Sequence, residues 1–129
     1  MDPSVLFVSP YLRDACSLTE MLDEISIPVF HARGVNEAAA QLKTGRFSVV
    51  LTEANFDDGT WLDLLKLTRL SGIELVVTDA WADPRFWAAA INLGAYDLLA
   101  QPFHRNEVRR VLASVVSRRP AGLKVAAAS

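Results

Sequence analysis

Five short apolar runs, at 5–8, 27–30, 47–51, 73–77 and 96–99, alternate with longer stretches whose apolar residues fall three or four positions apart. The first pattern suits a buried strand and the second the buried stripe of a helix. In 12–25 the stripe is Leu12, Ala15, Leu18, Leu22 and Ile25. The alanines after Val35 repeat it, with Gly45 as a stop, and Trp61, Leu64, Leu65 and Thr68 carry it on to Gly72. The stretch 86–93 ends at Gly94, and Val108, Val111, Leu112 and Val115 mark a last helix. Parallel strands need helical crossovers, so five strand–helix pairs predict an α/β domain: a (βα)5, doubly wound, parallel five-stranded sheet with helices on both faces. The strands are nearly unbroken apolar runs rather than alternating ones, as expected when neither face of the sheet meets water.

A chain of 129 residues fits one such domain. It is expected to occupy 1–119, and the small, weakly patterned residues 120–129 read as a C-terminal tail or linker stub. Apolar residues at 51 % and charged residues at 22 % rule out wholesale disorder. A formal net charge of -2 gives no electrostatic reason to expect nucleic acid or an anionic membrane as partner. The opening Met1-Asp2-Pro3-Ser4 lacks the basic segment of a secretory signal. No apolar run approaches the roughly 18 residues of a membrane span, so the expected location is the cytoplasm. Cys16, the one cysteine, falls among the apolar residues of the first helix and is expected to be a buried structural thiol.

In an open α/β sheet, ligands and chemistry gather beyond the carboxyl ends of the strands. Those ends hold Ser9 and Pro10, then Glu53, then Thr78 and Asp79, then Gln101 and Pro102. Three further segments have a distinctive order: Phe56-Asp57-Asp58-Gly59-Thr60-Trp61-Leu62-Asp63-Leu64, Leu93-Gly94-Ala95-Tyr96-Asp97 and Gln101-Pro102-Phe103. The first resembles the loop and helix start that follow the acceptor aspartate of response-regulator receiver domains in two-component systems. The second resembles the Gly-Ala turn before the fifth strand of that family, and the third its Lys-Pro-Phe signature, whose Lys–Pro peptide is typically cis. The resemblance spans roughly residues 4 to 118 and implies a flavodoxin-like receiver fold with strand order 2-1-3-4-5.

The resemblance also implies a chemistry, and most of its residues are replaced. Receivers hold Mg²⁺ with two acidic residues after strand one and with the acceptor aspartate, whose carboxylate attacks phosphorus. A lysine after strand five and a Thr or Ser after strand four stabilise the transferred group, so the work is mostly positioning and charge stabilisation. Here the acidic pair maps onto Ser9 and Pro10, the acceptor onto Glu53, the lysine onto Gln101 and the aromatic switch onto Leu98; Thr78 alone is retained. Mg²⁺ dehydrates reluctantly and is usually held by carboxylates plus phosphate, so losing two carboxylates argues against its binding and no cofactor is expected. The extra methylene of Glu53 moves the nucleophilic oxygen, and a misplacement of about 1 Å can cost roughly 100-fold in rate. The expectation is an atypical pseudo-receiver, not an enzyme, that acts by phosphorylation-independent protein–protein contact.

Several residues keep two readings. Glu53 is either a built-in mimic of the phosphorylated state reaching towards Thr78, or a polar strand-end residue facing Gln101. Asp57 and Asp58 are substitute acceptors, or one of them caps the helix opening near Thr60. Trp81, Phe86 and Trp87 crowd the start of the fourth helix, and a period of 3.6 cannot bury them all on one side. At least one is expected at the surface, either as an anchor for a protein partner or as the edge of the core. In receivers the face of the fourth helix, fifth strand and fifth helix is the usual contact surface, which admits a homodimer there. Arg105, Arg109, Arg110, Arg118 and Arg119 make the last helix basic, without a nucleic-acid motif. His31 and His104 lack metal-ligand spacing. Two alternatives to the contact module stand: a residual phosphoacceptor using Glu53, Asp57 or Asp58, and a small-ligand sensor using the vacated pocket at Ser9, Glu53 and Gln101.

Overall fold

A computed structural model describes residues 3–81 and 83–128, with side chains inside the last helix described as far as residue 117. The strands are β1 (Val5–Val8), β2 (Val29–Ala32), β3 (Val49–Thr52), β4 (Asn55–Phe56), β5 (Gly59–Thr60), β6 (Glu74–Asp79) and β7 (Asp97–Ala100). The helices are α1 (Leu12–Asp23), α2 (Val35–Thr44), α3 (Trp61–Ser71), α4 (Pro84–Leu93) and α5 (Arg105–Ala128). Five strands form one parallel sheet in the order β2-β1-β3-β6-β7, which is the expected 2-1-3-4-5 once the small β4–β5 hairpin is set aside. The arginines Arg118 and Arg119 have side chains outside the described residues. The backbone of 120–128 lies within α5, and the side chains that would distinguish a tail or stub there also lie outside them.

Alternate residues of each strand point to opposite faces. Val5, Phe7, Val49, Leu51, Val76 and Leu99 meet Ala15, Leu18 and Leu22 of α1 and Val108, Val111, Leu112 and Val115 of α5. Leu6, Val8, Val50, Leu75, Val77 and Leu98 meet Ala38 of α2, Trp61, Leu64 and Leu65 of α3 and Ala90 of α4. The stripes read for α3 and α5 are the buried faces. That of α1 is narrower: Leu12 and Ile25 are exposed, and so is Cys16. Each helical residue turns the side chain about 100°, so the residue after the buried Ala15 leaves the core, and the expected buried thiol is a surface one.

The segment after β3 is a capping device for two helices. The backbone N–H groups of Val35 and Asn36 donate to the Asp58 carboxylate at 2.9 Å and 2.9 Å, closing the N-terminus of α2, whose N-cap Gly34 has no side chain to offer. A Cβ on Gly34 would stand 2.7 Å from Asp58 Oδ1, so glycine is what lets the carboxylate approach. Thr60 caps α3 itself: Leu62 N–H donates to its hydroxyl at 3.2 Å, and Thr60 N–H donates to the Asp63 carboxylate at 3.0 Å. Asp58 is therefore a helix cap, as one reading held, but of α2 rather than α3. The hairpin folds it back across the second loop, beyond what local spacing conveys.

Candidate functional site

The sheet register gathers the strand-end residues. Val8 pairs with Thr52 and Thr52 with Val77, so one residue further on Ser9, Glu53 and Thr78 form a row across β1, β3 and β6. Their parity places them on the α1–α5 side, as continuations of Phe7, Leu51 and Val76. Gln101 continues Leu99 of β7 on the same side, and the Gln101–Pro102 peptide is cis. Leu98 has the opposite parity and is fully enclosed in the other core, so it contributes nothing to this row.

Within the row the hydroxyl of buried Ser9 donates to Glu53 Oε2, and the N–H of Tyr11 donates back to Ser9 Oγ at 3.1 Å. This second bond starts α1, whose N-cap Tyr11 makes no side-chain cap. His31 Nε2 lies 2.7 Å from the Ser9 carbonyl and must donate to it, since a carbonyl only accepts. Gln101 Nε2 donates to Asp14 Oδ2 at 3.3 Å and so joins the end of β7 to the first turn of α1. The Glu53 carboxyl is held above its ordinary 4.5, first by burial. The nearby charge of Asp14, and a hydrogen bond between the two acids, push the same way; Ser9 and the Gln101 amide pull it down. Thr78 is 2 % exposed and its hydroxyl has no hydrogen-bond partner.

Glu53 thus faces Ser9, Asp14 and Gln101, while Thr78 stands unengaged beside it. Asp14 is the member of the cluster that reading the strand ends missed. Its signal was there in principle, as an acid in the first turn of the helix that follows Ser9 and Pro10, but such an acid equally suits the helix dipole. Asp57 and Asp58 lie outside the cluster, around an open groove of about 600 Å³ lined also by Pro10, Tyr11, Arg33 and Phe56. Among the described residues no three His, Cys, Asp or Glu side chains are grouped as metal ligands.

The three aromatics are divided. Trp81, in the loop before α4, is 88 % exposed. Phe86 packs edge-on against Trp61 with ring centroids 6.1 Å apart, and Trp87 is partly buried against the same core. Both precede buried Ala90 by four and three residues, which puts them on the inward stripe. The Trp87 indole Nε1 is buried without a hydrogen-bond partner.

No protein-family model and no curated protein matches the chain. Solved structures are similar to it in fold. The receiver domain of a putative LuxO repressor from Vibrio parahaemolyticus has a TM-score of 0.86 at 16 % identity, over 97 % of this chain and 98 % of that one. The response regulator 1452 receiver domain of Francisella gives 0.80 at 20 % identity, over 91 % and 98 %. A beryllofluoride-activated NtrC4 receiver-domain dimer gives 0.82 at 20 % identity, over 90 % and 98 %. The fold is that of response-regulator receiver domains. No helix among the described residues is long and apolar enough to cross a membrane.

Proposed function

We propose that the chain is an atypical receiver domain of a two-component response regulator that works by protein–protein contact and without aspartyl phosphorylation. The observation that carries this reading is the state of the strand-end cluster. Where a receiver needs two metal-binding acids, Ser9 spends its hydroxyl on Glu53 and Pro10 has no side-chain ligand at all. Where it needs a cation for the phosphoryl group, Gln101 offers a neutral amide already donated to Asp14. The donor set does not fit Mg²⁺ well, because a hydroxyl and an amide replace charged ligands or charge partners, and the two acids present are bonded within the cluster. Glu53 is a weak candidate for a mimic of the phosphorylated state, since it is turned to Ser9 rather than to Thr78.

The contact surface in this reading is the α4–β7–α5 face and the loop before it, in a cytoplasmic setting. Trp81 is its anchor, because an exposed tryptophan gains the most on being covered. Phe86 and Trp87 support it from beneath, packed against the core. A second copy is one admissible partner; the NtrC4 receiver it resembles in fold is a dimer. Sedimentation velocity together with calorimetric partner binding tests this, with and without acetyl phosphate. Association that is indifferent to the phosphodonor and weakened roughly 30-fold or more by Trp81→Ala, a hot-spot loss of about 2 kcal/mol, supports it. Association that appears only with the phosphodonor contradicts it.

A further inference from the structure

The open groove beside the strand ends is built from three loops. Tyr11, the N-cap of α1, is 59 % exposed along it, with its N–H tied to Ser9 Oγ. Phe56, in the β4–β5 hairpin, lines the groove as well and packs partly against the core beneath α2 and α3. Arg33, in the turn before α2, and Asp57, at the tip of the hairpin, are exposed and bring one charge each. Among the described residues neither has an ion-pair partner, and they do not pair with each other. Asp58 adds no free charge, because its carboxylate is spent on the N–H groups of Val35 and Asn36. Those bonds fasten the hairpin to the start of α2, so the span between Asp57 and Arg33 is set before any ligand arrives.

We propose that this groove is a binding site for a free amino acid with an aromatic side chain. Its volume of about 600 Å³ lies within the ~300–1,000 Å³ of small-molecule sites. An anion drawn to Arg33 would meet Asp57, and a cation drawn to Asp57 would meet Arg33, so the groove disfavours phosphates and simple amines alike. A zwitterion satisfies both. Its carboxylate accepts from the Arg33 guanidinium, in the bidentate geometry that side chain favours, and its ammonium donates to Asp57. The ligand's ring then lies on the rings of Tyr11 and Phe56, which lose exposed apolar surface to it. The site shares no side chain with the α4–β7–α5 face, so it and the contact reading above can fail separately.

Calorimetric titration of the full chain with phenylalanine, tyrosine and tryptophan tests it, with NMR amide shifts to map the bound form. At least one should bind and move the backbone signals of Tyr11, Arg33, Phe56 and Asp57. The amide of that amino acid lacks the carboxylate, and its N-acetyl form lacks the ammonium; each should bind roughly tenfold or more weakly. Glycine, with both charges and no ring, should bind weakly too. Arg33→Gln should lower the affinity roughly tenfold and erase the preference for the acid over its amide. Asp57→Asn should do the same for the free amine over its N-acetyl form. Failure of all three amino acids to bind at millimolar concentration overturns the site, as does equal affinity for the blocked forms. Shifts confined to other loops, or tighter binding of adenosine monophosphate than of any amino acid, overturn it as well. The ligand series on the wild-type chain decides the matter even if a variant fails to fold.

Discussion

Glu53 sits in a part-buried cluster that favours its protonated form, and this gives the domain a signed dependence on pH. A folded-state pKa above the unfolded value means that the native chain binds the proton more tightly. The contribution is therefore fully present below the unfolded value near 4.5 and is lost as pH rises through the folded one. Glu53→Gln, which keeps the hydrogen-bonding length and cannot ionise, should flatten this limb and raise the melting temperature at neutral pH relative to wild type. Thermal melts of both proteins across the acid-to-neutral range check it; parallel curves would contradict it. Asp58 works in the opposite sense. The backbone N–H groups of Asn36 and then Val35 hold its carboxyl below its ordinary 3.8, so its contribution is present above that value and falls away as the acid is protonated. Asp58→Ala should lower the melting temperature at neutral pH and lose its effect in acid, where a cap no longer carries charge.

At the scale of elements, buried stripes show in local sequence more clearly than helix starts do. The stripes of α3 and α5 were legible because large side chains at helical spacing leave one face to bury: Trp61, Leu64, Leu65 and Thr68 are all buried, as are Val108, Val111, Leu112 and Val115. Truncating Leu112 to Ala in the middle of that contact should cost about 2–5 kcal/mol by urea unfolding, because it opens a cavity between α5 and the sheet. Loops were harder. The β4–β5 hairpin spans only two residues on each side, too short to show a period, and it decides which helix Asp58 caps. The α3 cap is local by contrast: Thr60→Ala should cost about 1 kcal/mol through the lost bond to Leu62 N–H. Asp14 escaped notice because its role depends on how α1 lies over the strand ends, a tertiary fact that no short window contains.

For the molecule as a whole, the alternation of two periods indicates a parallel sheet with both faces covered, since unbroken apolar strands need cover on both sides and the helical stretches between them supply it. Strand order came from the resemblance carried by Asp57-Asp58-Gly59-Thr60, Gly94-Ala95 and Gln101-Pro102-Phe103, and the sheet has that order. The candidate site was legible as a location, because the strand ends are fixed by the fold. Its internal bonding was not, because it depends on which of several polar neighbours Glu53 turns to. The function proposed above amounts to a division of labour. In that reading the strand ends, where Ser9 is bonded to Glu53 and Gln101 to Asp14, carry no phosphoryl chemistry, and the surface marked by Trp81 does the recognising.

Intact-mass spectrometry after incubation with acetyl phosphate and Mg²⁺ tests that division most directly, provided a variant with the receiver residues rebuilt is run beside the wild type. Ser9→Asp, Pro10→Asp, Glu53→Asp and Gln101→Lys together restore the two metal ligands, the acceptor and the cation. The account predicts a wild-type mass that does not change and a rebuilt variant that gains one acid-stable, base-labile phosphoryl group. A phosphoryl group on the wild-type chain, at Glu53, Asp57 or Asp58, would contradict it.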